Sequence, residues 1–231
     1  MDSYLIFENF PVEIMEEIFY YLPSDELHRC FFNLNSRINL ILSGFKWKVE
    51  CFIQNQNYLH HNVLPYYFEQ IYYLNMCDKN LSRLELHKFI NLRSLTVSVV
   101  SCKINDNLSS SLSMLKHLEI LQLMCSGPIY VNCSLLFSCP TLKRLKTSCL
   151  YHNNSVHPLT SQSNLEYLHL HCSCALEHNF IPVLHYTPKL RRLNLYLKRL
   201  YNKPITNQSF VSSITSLKLT VSSSNDLKQV E

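Results

Sequence analysis

The sequence predicts an α/β protein built as a stack: a short helical subdomain leads, and a solenoid with a concave parallel β-sheet and a convex face of short helices follows. Three observations predict it. Three short helical patterns succeed one another in the first fifty residues; from residue 71 onward a leucine phrase returns every 21 to 26 residues; and the two regions carry opposite charge. Residues 1–50 hold eight acids against Arg29, Arg37, Lys46 and Lys48, a net −4, so with +4 on the whole chain the remainder is +8. Opposite charge on two regions implies two domains with different partners. The boundaries follow as 5–50 for the helical domain, 51–66 for a linker and 67–231 for an arc of about seven repeats.

The first helix is predicted from Pro11, whose missing N–H costs nothing in the first turn. Glu13, Glu16 and Glu17 place negative charge near its positive end, and Ile14, Ile18 and Leu22 form an apolar stripe at four-residue spacing. Pro23 ends it. Ser24 or Asp25 then caps a second helix through Leu27, Cys30, Phe31 and Leu34, and Asn35 or Ser36 a third through Ile38, Ile41 and Leu42. Helices this short need a neighbouring domain or a partner to complete a core.

The run Phe10-Pro11-x-Glu13-Ile14-x-x-x-Ile18-Phe19-x-Tyr21-Leu22, then Asp25-Glu26-Leu27-x-x-Cys30, then Asn35-x-Arg37, resembles the F-box family over roughly residues 8–48, Trp47 included. Phe10 replaces the leucine usual before the proline. The resemblance implies docking on a Skp-type adaptor, and through it on a cullin scaffold, by Phe10, Pro11, Ile14, Ile18, Phe19 and Leu22, with Leu27 behind them.

The repeated phrase is an aliphatic residue, two variable residues, leucine, one variable residue and usually another apolar one. Its central leucines are Leu74, Leu95, Leu121, Leu145, Leu168, Leu193 and Leu217. Alternation with period two turns these leucines inward and the residues between them outward. A second register supports the first: leucine recurs six residues before the opening aliphatic at Leu86, Leu112, Leu136, Leu159 and Leu184, where a return segment must fill the opposite wall. Segment 176–181 suits a short convex helix. Residues 67–221 thus resemble the leucine-rich-repeat family. Two departures stand out: the asparagine ladder common after the strand is missing, and only about ten residues follow the last strand, as expected of a shortened or degenerate array.

Together the two resemblances imply a substrate-recognition subunit of a Skp–cullin–F-box ubiquitin ligase, with the chemistry on other subunits; the same architecture also suits a repeat scaffold with no ligase role. Seven strands at ~4.8 Å make a face ~30 Å across. Its middle is rich in arginine, lysine, histidine and tyrosine, and Arg144, Lys146, Tyr167, His169, Arg192 and Tyr196 are the candidate contacts to an acidic or phosphorylated target segment.

Composition narrows the rest. With 2 glycines, a glycine-rich phosphate loop is disfavoured, and leucine makes up roughly one residue in six without any run long enough to span a bilayer. Asp2 and Glu8 oppose a signal peptide, so an intracellular chain, cytoplasmic or nuclear, with its 10 cysteines reduced is expected. Cys172, Cys174, His169, His171 and His178 lack metal-site spacing, no cysteine is set apart as a nucleophile, and no nucleic-acid motif accompanies the basic arc. No cofactor, metal, nucleic acid or membrane is therefore expected as a partner.

Overall fold

The computed structural model describes residues 7–51, 56–77, 84–98, 112–124, 130–132, 139–147, 149–151, 163–172, 184, 186–197 and 213–221. Three helices come first: α1 (Val12–Tyr21), α2 (Ser24–Phe31) and α3 (Ser36–Gly44). Pro11 and Pro23 occupy the N-cap positions of α1 and α2 with no side-chain cap, so neither Ser24 nor Asp25 acts as the cap. Asn35 does cap α3, its Oδ1 accepting from the Ile38 N–H at 2.8 Å. Asn33, at φ 60°, turns the chain between α2 and α3; its N–H donates to Asn39 Oδ1 at 2.8 Å, which holds a left-handed conformation that asparagine tolerates.

Eight strands then form one parallel sheet in a solenoid-like arrangement: β1 (Trp47–Glu50), β2 (Ile71–Cys77), β3 (Ser94–Ser98), β4 (Ile120–Met124), β6 (Arg144–Thr147), β8 (Tyr167–Cys172), β9 (Arg192–Leu197) and β10 (Ser216–Val221). Between them β5 (Tyr130–Asn132) and β7 (Cys149–Tyr151) make a separate parallel pair. All seven predicted central leucines lie in one ladder, Leu74 beside Leu95, then Leu121, Leu145, Leu168, Leu193 and Leu217. In the return segments Leu86 and Leu112 are buried and Leu184 is half-buried; Leu136 and Leu159 lie outside the described residues, as does the helix expected at 176–181. Where short helices were expected on that side, the described return segments include one 3-10 turn, Leu86–Lys88, and the β5–β7 pair.

The sheet begins one strand earlier than the leucine phrase indicates. β1 has no Leu-x-Leu signature, yet it pairs with β2, Val49 lying beside Leu74. Residues expected to be linker include two helical turns, α4 (Gln56–Tyr58) and α5 (Leu64–Tyr67), joined by a π-turn at Leu59–Val63. Leu59, Val63, Leu64 and Tyr67 are buried in the same core that holds Met15, Phe19 and Leu42 on one side and the repeat leucines on the other. Trp47 fastens this junction. Its ring stacks on Tyr67 with centroids 4.1 Å apart, and its Nε1–H donates to the Leu42 carbonyl at 3.2 Å.

The strand entries are tied by backbone. The carbonyls of Arg93, Glu119, Lys143, Glu166 and Arg191 each accept two N–H groups from the next repeat, at 2.8–3.0 Å. A polar row two positions earlier adds side-chain bonds to the preceding unit: Asn91 to the Glu69 carbonyl (2.8 Å), Thr141 to Leu118 (2.9 Å), Asn164 to Pro140 (2.7 Å) and Ser213 to Leu190 (2.9 Å). The absent asparagine ladder after the strands is thus matched by a mixed polar ladder before them.

Stability is distributed unevenly along this ladder. Leu121 is fully buried, whereas Leu217 and Leu219 on the last strand are 63% and 53% exposed. Leu121→Ala is expected to cost about 2–5 kcal/mol of unfolding free energy, while Leu217→Ala costs under about 1 kcal/mol. Denaturant titration of the two variants checks the contrast.

His28 adds a pH dependence. It is buried between α2 and the helical turns, stacked on Phe32 at 4.3 Å, with Nδ1 3.0 Å from the Tyr58 hydroxyl and no partner for Nε2 among the described residues. Burial holds its pKa below the ordinary value of 6.5. The folded state therefore favours neutral His28; its stabilisation is full above the unfolded pKa and is lost as pH falls from there through the lower folded value. The melting temperature is expected to fall from pH 7 to pH 5, and His28→Phe should flatten the slope in a thermal-melt series, leaving the part due to His169.

Candidate functional site

Two surfaces collect the residues singled out by sequence. The first is the helical end. On α1 the buried face is Met15 and Phe19, one turn apart, so the helix carries its apolar residues on two adjacent stripes rather than one. Phe19, 1% exposed, packs against Phe31 (4.9 Å) and edge-on against Phe45 (6.1 Å). Leu27 is equally buried. These two hold the helices together: Leu27 lies behind the other candidates, and Phe19 is not itself displayed in the isolated chain. Ile18 and Leu22 are half-buried against the core, and Phe10 packs edge-on to Phe7 at 5.8 Å. Pro11 and Ile14 face solvent, Ile14 at 48% exposure, and Val12 is exposed beside them.

Arg37 organises the neighbourhood of that stripe. Its Nη2 donates to the Phe10 carbonyl at 2.7 Å, tying the start of α3 to the start of α1. Leu40, one turn beyond Arg37 on the same face of α3, is exposed. The amphipathic spacing of Ile14 and Ile18 was legible; the exposure of Leu34 and Leu40 was not, because both fit an inward helical pattern equally well.

The second surface is the outward face of the parallel sheet. Outward residues of successive strands lie side by side: Lys48, Tyr73, Ser94, Ile120, Arg144, Tyr167, Arg192 and Ser216 in one row, and Glu50, Asn75, Thr96, Gln122, Lys146, His169, Asn194 and Lys218 in the next. All six predicted contacts fall on this face. Arg144, Tyr167 and Arg192 are consecutive in the first row, Lys146 and His169 adjacent in the second, and Tyr196 lies beside His171, their rings stacked at 4.3 Å and 7°. Asn194 Nδ2 donates to the Tyr167 hydroxyl at 2.9 Å and fixes that ring between the two arginines.

Arg144, Tyr167 and Arg192 line a shallow depression of ≈ 330 Å³ together with Arg191 and Glu166. Three guanidinium groups against one carboxylate leave it positive. Burial, then the neighbouring Lys146, His171 and Lys218, lowers the His169 pKa, so this ring is neutral near pH 7. Charge elsewhere on the sheet is compensated: Lys48 Nζ donates to Glu50 Oε1 at 2.8 Å, and at the strand entries Glu119 lies between Arg93 (3.3 Å) and Lys143 (3.4 Å). Sequence inspection missed Glu166 and Arg191, which become part of the site only through the strand register, and it placed Asn194 on the outward face without its bond to Tyr167.

Cys30, Cys51 and Cys77 are free thiols, Cys139 Sγ donates to the Leu112 carbonyl at 3.3 Å, and burial pushes the Cys51 thiol up to about 12, far from a reactive thiolate. Among the described residues no group of three or more His, Cys, Asp or Glu is placed to hold a metal ion, and no helix is long and apolar enough to cross a membrane. Cys174 and His178 lie outside the described residues. No protein-family model matches the chain, and no curated protein matches it significantly in sequence.

The basic patch is separable from the core. Arg144, Lys146 and Arg192 are exposed, so changing all three to Glu is expected to alter stability by at most ~0.5 kcal/mol each. Binding of a fluorescein-labelled hexaglutamate peptide, followed by anisotropy, should fall at least about tenfold in the triple variant, and wild-type binding should weaken as salt shortens the Debye length from ~10 Å at 0.1 M.

Proposed function

We propose that the chain is the substrate-recognition subunit of a Skp–cullin–F-box type ubiquitin ligase, non-catalytic itself, holding an adaptor at its helical end and a target protein on its concave sheet. The observation that carries this reading is the second apolar stripe of α1. Pro11, Val12 and Ile14 lie on a helix whose core-facing side is already occupied by Met15 and Phe19, so these residues are left outside the shared core. Exposed aliphatic residues on a proline-started helix suit a helical partner's groove. Their order along the chain is that of the F-box motif.

The concave patch supports the second half of the reading. Its arginines and tyrosine are of the types that dominate binding energy at interfaces, and they lie on β6, β8 and β9, far along the strand order from the helical end. A partner recruited by charge at the sheet and a partner docked by apolar burial at the helices would not compete for the same chemistry.

Pro11→Ala combined with Ile14→Asp tests the adaptor half. Ile14 is exposed in the isolated chain, so the variant should fold with a wild-type melt. In a packed interface the new carboxylate would be buried without a partner, a cost of several kcal/mol, and co-purification with a Skp-type adaptor should fall by at least about a hundredfold. Wild-type yield of the adaptor complex from the double variant would leave a repeat scaffold without ligase role as the better reading.

A further inference from the structure

The outward face is divided. Apart from Lys48 on β1, which is paired with Glu50, its basic residues sit on β6, β8, β9 and β10, whereas β4, immediately beside β6, carries two apolar side chains on the same face: Ile120, half-buried and in register with Arg144, and Met124, 48% exposed. Gln122 separates them and lies in register with Lys146. Ile120 is thus an apolar contact with a charged neighbour, Arg144, on one side and Ser94 of β3 on the other; Met124 lies four residues further along β4, beside Ser98.

We infer, resting on the receptor function proposed above, that the arc selects an extended target segment in which a bulky aliphatic or aromatic residue stands about two to four residues from a run of carboxylates. The apolar residue packs on Ile120, and the carboxylates meet Arg144, Lys146 and Arg192. The spacing follows from the sheet. Strands lie ~4.8 Å apart, so Arg144 is one step and Arg192 three steps from Ile120, about 5–14 Å, and an extended peptide rises ~3.3 Å per residue. Charge draws the segment to the C-terminal half of the face; the apolar contact fixes its position along the row, because the next strand on the other side, β3, presents Ser94 there.

The test uses the full chain and two fluorescein-labelled peptides, each with four glutamates and a Gly-Ser spacer, one led by two leucines and the other by two serines. The leucine peptide is expected to bind at least about fivefold tighter to the wild-type chain. Ile120→Ser, a change at an outward strand position, should remove that advantage while leaving the serine peptide's affinity unchanged. The triple charge reversal should abolish binding of both. Equal affinity of the two peptides, or an advantage that survives Ile120→Ser, overturns the apolar foothold and leaves the basic receptor surface standing. Binding of both peptides undiminished in the triple variant, or to neither in the wild type, overturns the receptor surface as well. A single-stranded oligonucleotide that outcompetes both peptides would assign the patch to nucleic acid instead.

Discussion

Everything in this molecule depends on the parallel register that sets one leucine beside the next. No repeat has enough apolar area to hold itself together; each closes only when the leucines of the strands on either side cover its own. The register is strict because a slip of one residue would turn Leu145 to solvent and Arg144 or Lys146 to the core. Burying an unpaired guanidinium or ammonium is costly enough to enforce the alignment by itself, and the carbonyls that accept two N–H groups at each strand entry lock it at the backbone. The same constraint builds the outer face. Because the leucines are aligned, the residues between them are aligned too, and Arg144, Tyr167 and Arg192 become neighbours although 23 and 25 residues separate them in sequence.

Much of the array was legible because period-two leucine is a signal with few competing explanations. The seven central leucines and the outward placement of Arg144, Lys146, Tyr167, His169, Arg192 and Tyr196 came from spacing alone, since an inward leucine dictates an outward neighbour. What escaped lacks such a signal. β1 has Trp47 and Val49 at its inward positions, which read as the tail of a helical subdomain, and it becomes a strand only because β2 offers it an edge. The helical turns between Gln56 and Tyr67 escaped for a related reason: a π-turn at Leu59–Val63 breaks the regular period that marks a helix. The polar row of Asn91, Thr141, Asn164 and Ser213 shares a function and not a residue type, so it hides from a search for repeated asparagine.

The helical end shows the limit in another form. Ile14, Met15, Ile18, Phe19 and Leu22 fill two stripes of one short helix, and the sequence does not say which stripe meets the core. Packing decides it through aromatic rings: Phe19 finds Phe31 and Phe45, and its neighbour one turn back, Met15, follows it inward. Ile14 is left outside. Residues chosen by family likeness therefore divide into those that build the module, Phe19 and Leu27, and those that it displays, Pro11 and Ile14.

Trp47 is the chain's single tryptophan, and it lies at the seam between helices and sheet, stacked on Tyr67 in a fully buried setting. The molecule thus carries its own optical gauge at the one place where two structural styles meet. Tryptophan emission shifts to longer wavelength when water reaches the indole, so a red shift preceding the loss of sheet circular dichroism would mark a seam that opens first. Coincident changes would mark helices and strands that melt as a single cooperative body, as one continuous core requires.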